Sequence, residues 1–281
     1  MKLINLIGLK SEVKSVLDNY KKVFNVKIYD EEIHLLKDLK IEKDMVKNGL
    51  LVATTDETIA LGKALGIATV AYANSDFPNQ SYGGVEMIVE GFEEVDADFF
   101  EKVYQRWHHL PWIILETRRC VVRELSLEDM EALFELYEDE EMARYTEGLY
   151  PYEEEMEYQR AYINNMYRYF GYGMWLVFSK ETGKVIGRAG LEHREYYEQT
   201  ELELGYLIGK KYQGQGYATE ICKAILEYAK ENTGFERINS LIEEGNESSI
   251  KLIQKLNFEY IEDYDLDGKK VHRFVKNLKE D

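Results

Sequence analysis

The sequence predicts an α/β protein made of two domains. The chain has 281 residues, 45% of them hydrophobic, which is more than one typical domain needs to bury a core. Its first part contains a strand–helix–strand pattern of the length of a parallel crossover. Its second part contains three strand-like runs, followed by a glycine-rich loop and a long amphipathic helix. We place the boundary between residues 112 and 113.

Residues 1–112 are predicted to form a small Rossmann-like α/β domain. Apolar runs predict strands at residues 3–9, 49–55, 67–72 and 86–91, whereas the polar segment 11–48, with periodic apolar positions, predicts short helices or a small strand around residues 26–29. Asp56 is expected to cap the helix that follows the run at residues 49–55, and Gly66 to end it. A strand, a helix and a strand of these lengths predict parallel pairing with a right-handed crossover. A further helix over residues 99–110 closes the domain.

Residues 49–105 resemble the trailing half of the haloacid dehalogenase-like fold. In that family a Thr or Ser ends a core strand, as Thr54 or Thr55 does here. The family's phosphorylated nucleophile is an aspartate after an early strand, whereas residues 3–10 contain no aspartate. Nothing there replaces a carboxylate nucleophile. The resemblance therefore implies a non-catalytic domain, which disfavours a phosphatase fused to the second domain.

Charge and cysteine content exclude several classes of function. The net charge is -18, of which -13 lies beyond residue 115, so binding to a nucleic acid backbone is disfavoured. The acidity serves solubility or attracts a cationic substrate. Cys120 and Cys222 form neither a disulfide framework nor a metal-ligand set. With no secretory leader and no apolar run of membrane-spanning length, we expect a cytoplasmic protein without a membrane partner.

The second part, residues 113–281, begins with a strand over residues 116–125 and a helix capped by Ser126, with Asp129 three positions on. A second helix is predicted over residues 153–169. Strand-like runs follow at residues 173–180, 184–194 and 200–209, with turns at Gly183 and at residues 195–199.

The loop after the third run carries the strongest functional signal. Gln213, Gly216 and Ala218 fit the pattern Q/R-x-x-G-x-G/A between a strand and a helix. Glycine lets the backbone turn sharply and approach a ligand, and the free amides at the helix start bind an anion. This segment resembles the acetyl-coenzyme A pyrophosphate loop of the GNAT superfamily. The resemblance implies cofactor-binding residues at Gln213, Gly214, Gln215, Gly216, Tyr217, Ala218 and Thr219.

A later segment, residues 245–260, supports the same resemblance. Asn246 and Ser249 match the family's N-x-x-S, and Lys255 and Phe258 match the helix end K-x-G-F. Asn257 replaces the glycine, and asparagine also tolerates the left-handed conformation. The resemblance covers residues 116–278 and is closest to the ribosomal-protein N-terminal acetyltransferases. It implies a GNAT fold, which is a mixed, centrally splayed sheet with flanking helices.

The resemblance also implies a reaction, in which a primary amine attacks the thioester of acetyl-CoA directly. The amine would be a polypeptide N-terminus, a lysine or a small polyamine-like compound. Glu203, in the family's E-x-G-Y phrase, is the candidate general base. Glu201, which shares its face by strand alternation, is a second catalytic candidate, and Glu192 and His193 are further candidates on the neighbouring strand.

The same family pattern predicts how the thioester arm is held. We expect a bulge or bend at Gly205, so that the backbone amides of Leu207 and Ile208 bind the arm and polarise its carbonyl. The side chains of Asn246 and Ser249 would face the arm from the next helix.

The family's usual general acid is missing. Many relatives have a tyrosine seven residues after the motif asparagine, and this position is Ile253. Ser249, Tyr260 or water would protonate the thiolate instead. No metal is implied. Because the general acid is missing, a second hypothesis stays open, in which the domain binds acetyl-CoA as a sensor without turnover.

Overall fold

The computed structural model describes residues 2–31, 35, 38, 42–138, 144–146, 148–196, 199–266 and 268–279. The chain divides into two compact units, Met1–Trp112 and Ile113–Asp281. The division falls at the residues where the sequence analysis placed the domain boundary.

The first unit is a five-stranded parallel sheet with helices. Its elements are β1 (Asn5–Leu9), α1 (Lys10–Leu17), β2 (Asn25–Tyr29), α2 (Lys43–Lys47), β3 (Gly49–Ala53), α3 (Asp56–Leu65), β4 (Ala68–Tyr72), β5 (Ile88–Val89) and α4 (Ala97–Trp107). The strand order is β2-β1-β3-β4-β5, and each neighbouring pair is parallel. The parallel pairing of β3 with β4 was predicted from the sequence. A parallel sheet agrees with a Rossmann-like domain. The kinship with the haloacid dehalogenase-like fold remains a prediction.

The start of α3 differs from the expectation in one respect. Thr55, not Asp56, is the N-cap, and its hydroxyl accepts a hydrogen bond from the Thr58 amide at 3.2 Å. The Asp56 carboxylate instead accepts from the amides of Ser81 and Tyr82, at 2.9 and 2.8 Å. The Ser81 bond is the main reason that the pKa of Asp56 lies below its usual range. Gly66 ends the helix in the left-handed conformation, as predicted.

Threonines at the end of β3 are held by a buried carboxylate. Glu12 accepts from the Thr54 amide at 2.9 Å and from the Thr58 hydroxyl at 2.8 Å. Carboxylates near the start of a helix are stabilised by its free amides and dipole. These bonds give the Thr58 hydroxyl and the Thr54 backbone a structural role, whereas the buried Thr54 hydroxyl has no hydrogen-bond partner among the described residues.

The second unit is an eight-stranded mixed sheet with helices. Its elements are β6 (Ile113–Glu116), β7 (Cys120–Arg123), α5 (Met130–Tyr137), α6 (Tyr152–Tyr162), β8 (Met174–Ser179), β9 (Val185–Tyr196), β10 (Gln199–Ile208), α7 (Tyr217–Asn232), β11 (Arg237–Glu243), α8 (Glu247–Lys255), β12 (Glu259–Leu266) and β13 (Lys269–Asn277). The strand order is β12-β13-β11-β10-β9-β8-β7-β6. The described pairs are antiparallel except for β10 with β11, which are parallel.

Local signals in the second unit are confirmed. Asp129 accepts from both the amide and the hydroxyl of Ser126, each at 2.8 Å, which fixes the start of the first helical segment. The second predicted helix is α6, continued by a π-helix over Ile163–Phe170. Asn257 has φ 62°, so it ends the α8 segment in the predicted left-handed conformation. The predicted turn at residues 195–199 lies in part outside the described residues.

Candidate active site

The two central strands separate from each other part-way along their length. In the described sheet, β10 pairs with β11 only through Leu202 with Ile238 and Glu203 with Asn239. Beyond these pairs β10 continues to Ile208 without β11, so the backbone amides that face away from β9 have no partner strand there among the described residues. This is the splay that the family resemblance implies.

The predicted bulge at Gly205 is wrong. The pairing of β10 with β9 runs without a register shift from Gln199 to Ile208, and Gly205 lies opposite Gly190. The opening therefore arises from the departure of β11, not from a distortion of β10. Leu207 and Ile208 lie on the part of β10 beyond this departure. The Gly209 amide donates to the Ile186 carbonyl of β9, so in the alternating ladder the Leu207 amide also faces β9 and the Ile208 amide faces the opening.

A glycine loop joins the end of β10 to the start of α7. The side-chain amide of Gln213 donates to the Ile208 carbonyl at 2.9 Å, which folds the loop back onto the strand. Gly216 is the N-cap of α7 and has φ 81°, a conformation that favours glycine. Tyr217, Ala218 and Thr219 form the first turn, whose amides have no intrahelical partner. The loop has the geometry of an anion site.

One arginine, which the sequence analysis did not single out, lies on this loop. Arg119 is the last residue of the turn between β6 and β7, and its Nε donates to the Glu220 carboxylate at 2.6 Å. Its Nη1 donates to the Gln215 carbonyl at 3.0 Å, and its guanidinium lies 3.9 Å from the ring centroid of Tyr217. About 100 residues of sequence separate Arg119 from its partners, so no local spacing could have indicated this contact.

Glu203 occupies the last pair before the central strands separate. Its Oε2 accepts from Arg194 Nε at 2.5 Å and from the Tyr196 hydroxyl at 3.2 Å, while Oε1 has no hydrogen-bond partner among the described residues. Loss of hydration raises the pKa of this carboxyl above its usual range. The nearby Arg194 opposes the rise, and Glu192 adds to it. A raised pKa makes Glu203 a stronger base than an exposed glutamate.

Glu201 lies on the same face but is enclosed by a buried polar network. It accepts from Asn239 at 2.7 Å and from Arg273 at 3.3 Å, and it is also paired with Arg237. Both carboxylate oxygens are therefore engaged by donors that belong to β11 and β13. This geometry supports a structural role for Glu201 more than the catalytic role we had considered.

The two other candidates, Glu192 and His193, lie on opposite faces of the neighbouring strand β9. Glu192 lies opposite Glu203, so the two carboxylates share a face, and its Oε1 accepts from the Tyr162 hydroxyl at 3.2 Å. His193 lies opposite Leu202, on the other face, where its ring is 4.6 Å from the ring of Phe170. The structure thus groups Glu192 with Glu203 and leaves His193 apart.

The later motif forms the N-terminal turn of α8. Asn246 is the N-cap, and its side-chain oxygen accepts from the Ser249 amide at 3.2 Å. The Tyr206 hydroxyl on β10 donates to the Ser249 carbonyl at 3.3 Å, which ties α8 to the central strand. The usual tyrosine position is occupied by Ile253, which has no hydroxyl and is fully buried.

Tyr260 is not a candidate general acid. It lies on β12, the edge strand, with β13 between it and β11. Its hydroxyl donates to Asp263 at 3.1 Å, and 54% of the residue is exposed. The expectation that Tyr260 could protonate the leaving thiolate is therefore wrong.

Two further classes of site are absent from the described residues. These contain no group of three or more His, Cys, Asp or Glu placed to hold a metal ion. They also contain no helix long and apolar enough to cross a membrane.

The comparison with known proteins decides the family. Residues 119–259, half of the chain, match the model of the acetyltransferase (GNAT) domain. The chain belongs to the GNAT acetyltransferase family. YkkB, an uncharacterized protein of Bacillus subtilis, is 31% identical to this GNAT protein over 150 residues, which are 52% of this chain and 85% of YkkB. The uncharacterized N-acetyltransferase p20 of Bacillus licheniformis is 28% identical over 147 residues, 52% and 82% of the two chains.

Solved structures show the same fold. A GNAT-family acetyltransferase from Bacillus anthracis aligns with a TM-score of 0.50 and 20% identity, over 59% of this chain and 99% of that one. The ribosomal L7/L12 alpha-N-protein acetyltransferase RimL aligns with a TM-score of 0.52 and 17% identity, over 60% and 96%. The family assignment makes this protein an N-acetyltransferase, a transferase of a family that uses acetyl-CoA as co-substrate.

Proposed function

We propose that this GNAT enzyme acetylates a primary amine by direct attack on acetyl-CoA, with Glu203 as the general base. The observation that carries the proposal is the position of Glu203, a carboxylate with a raised pKa at the last paired residue before β10 and β11 separate. The unpaired side of β10 is where a thioester arm could add as an extra strand.

The cofactor would then run from the opening to the start of α7. The backbone amide of Ile208, which faces away from β9, would bind the thioester arm, and the amides in the first turn of α7 would bind the pyrophosphate. Asn246 and Ser249 would lie beside the arm. The residues of the loop and helix start proposed for the pyrophosphate are Gln213, Gly214, Gln215, Gly216, Tyr217, Ala218 and Thr219.

Starting from the ammonium form, the nitrogen loses two protons, one before it attacks and one as the amide forms, while the thiolate gains one. Glu203 would take the first on Oε1, directly or through a water, because Oε2 is held by Arg194 and Tyr196. The amine nitrogen forms the amide bond as the carbon–sulfur bond breaks. Ser249 or water would protonate the sulfur, and a thiol leaves readily as thiolate.

The acceptor is proposed to be a cationic primary amine. Glu192 shares the face of Glu203, and unlike Glu203 it accepts no hydrogen bond from an arginine among the described residues, although Arg194 is near enough for their charges to interact. A second carboxylate there would attract the ammonium form before it loses its proton. The acceptor classes that fit are a polypeptide N-terminus, a lysine and a small polyamine. The L7/L12 protein named for RimL makes a ribosomal protein N-terminus one substrate to test.

The test replaces Glu203 with glutamine, which keeps the shape and removes the base. We expect turnover with the best amine of a panel to fall by about 10²- to 10⁴-fold, with little change in the Kd for coenzyme A. In the wild type, kcat/KM should fall as the pH drops through the raised pKa of Glu203, because the protonated carboxyl cannot accept a proton. The Glu203→Gln variant should not show this fall in kcat/KM.

Glu195→Gln is the matched control, since Glu195 is an exposed carboxylate on the same strand, β9, as Glu192. It should retain wild-type turnover. Equal turnover in Glu203→Gln and wild type would rule out Glu203 as the base. A wild-type chain that binds acetyl-CoA but releases no thiol with any amine would support the sensor hypothesis instead.

A further inference from the structure

Arg119 places a fixed guanidinium at the glycine loop. Three contacts hold the group: the Glu220 carboxylate, the Gln215 carbonyl and the face of Tyr217. The Arg119 amide also donates to Glu220, at 2.9 Å, so the backbone is fixed together with the side chain. An arginine held in this way loses little conformational entropy when a ligand binds.

The guanidinium still has donors to offer. Arginine carries five N–H groups, and within the described residues the contacts above use one on Nε and one on Nη1. Nη2 has no partner there, and 27% of the side chain is exposed. A Cβ placed on Gly216 would lie 3.7 Å from Nη2, so this nitrogen is on the side that the glycine leaves open.

The charges around the glycine loop favour a cationic donor for a phosphate. Glu220 lies in the first turn of α7, where its carboxylate would repel a phosphate. Gln213 contributes no charge, and its side-chain amide is bound to the Ile208 carbonyl. Arg119 offsets the Glu220 charge and still presents Nη2 to the same opening.

We propose that Arg119 is a pyrophosphate ligand of the coenzyme, with Nη2 donating to a phosphate oxygen beside Gly216. The inference rests on the proposed function, because it takes the glycine loop as the pyrophosphate site. It also predicts a ligand preference, in which thioesters that carry the pyrophosphate bind far better than acyl-pantetheine.

The test measures the Kd of the full chain for coenzyme A, dephospho-coenzyme A and pantetheine by calorimetry. Arg119→Gln should weaken binding of the first two by roughly 10- to 100-fold, as expected for loss of a charge-assisted hydrogen bond. Binding of pantetheine should not change. Arg118→Gln is the matched control, because Arg118 is the exposed neighbour and the change in charge is the same. It should alter each Kd by less than about 3-fold.

Glu220→Gln separates a ligand from a residue that only positions the loop. If Arg119 acts only by holding Glu220, this variant should lose affinity as Arg119→Gln does, and the proposal is overturned. If Arg119 binds phosphate, Glu220→Gln should keep or improve the affinity, because a repelling charge is removed. Arg119→Lys gives a second measure should the glutamine variant not fold: it keeps the charge and should retain part of the affinity.

The ligand series distinguishes the remaining outcomes. A loss confined to coenzyme A, with dephospho-coenzyme A unaffected, would assign Arg119 to the 3′-phosphate and refute the pyrophosphate contact. Equal affinities of Arg119→Gln and Arg118→Gln would refute any phosphate contact while leaving the proposed function intact. Failure of the wild type to bind coenzyme A would instead refute the proposed function.

Discussion

Replacing Glu201 with glutamine tests whether this carboxylate supports the fold or the reaction. The carboxylate is 6% exposed and accepts from Asn239 and Arg273, with Arg237 as a further partner. The amide keeps one acceptor but loses the charge that neutralises the 7%-exposed Arg273. The expected effect is therefore on stability first.

The magnitude follows from what Arg273 keeps. Breaking a buried ion pair by removing one partner typically costs about 3–5 kcal/mol. Arg273 retains Glu262 at 2.9 Å and the Asn239 side-chain oxygen at 2.8 Å, so we expect a value near the lower end, about 3 kcal/mol. For a unit of this size each kcal/mol shifts the unfolding temperature by about 2–4 °C, which gives a decrease of roughly 6–12 °C.

Calorimetric unfolding of the full chain measures this shift, because each of the two compact units can unfold in its own transition. Only one transition should move. Glu262→Gln is the control: this carboxylate is 32% exposed and Arg273 would keep Glu201, so the shift should be smaller. Turnover at 20 °C should stay within a few-fold of wild type. An unchanged unfolding temperature with a 100-fold loss of turnover would refute the structural assignment and restore Glu201 as a catalytic candidate.

Two other predictions concern the loop and the domain boundary. Gly216→Val should weaken coenzyme A binding by at least about 10-fold in calorimetry, because valine disfavours φ 81° and its side chain would occupy the phosphate side. Gly234→Val, at φ 72° beyond the end of α7, carries similar strain away from the loop; equal losses in both variants would contradict a loop-specific effect. A chain truncated to begin at Ile113 should fold and bind coenzyme A within about 3-fold of the full chain, and an insoluble product would contradict the independence of the second unit.

Local patterns predicted much of the fold and the loop. Apolar runs predicted the β-strands of the first unit other than β2, and the spacing of Gln213, Gly216 and Ala218 predicted the start of α7. Glu203 was identified because its phrase has a fixed place in the family. In each case the interactions that determine the structure act between residues close in sequence, so a short segment is enough to predict it.

Long-range contacts could not be predicted in this way. Arg194 and Tyr196 hold Glu203 because β9 and β10 pair in one particular register, and alternation alone does not set a register. Tyr260 looked close to the motif helix in sequence, but the order of the strands places it on the sheet edge. Arg119 reaches the loop across about 100 residues, through the pairing of β7 within the sheet.

The separation of β10 from β11 immediately after Glu203 explains why one strand can serve both halves of the proposed reaction. Consecutive residues along a strand advance by about 3.3 Å, so the Ile208 amide, five residues beyond Glu203, lies about 16 Å along the strand from the Glu203 backbone. That spacing leaves room for an acetyl group, an amine nitrogen and a water between the carboxylate and the amide. Because β9 pairs with β10 without interruption, the distance between base and carbonyl is set by a rigid strand. Different acceptor amines could then be accommodated by changes in the elements around Glu192, while the geometry of the acetyl transfer stays unchanged.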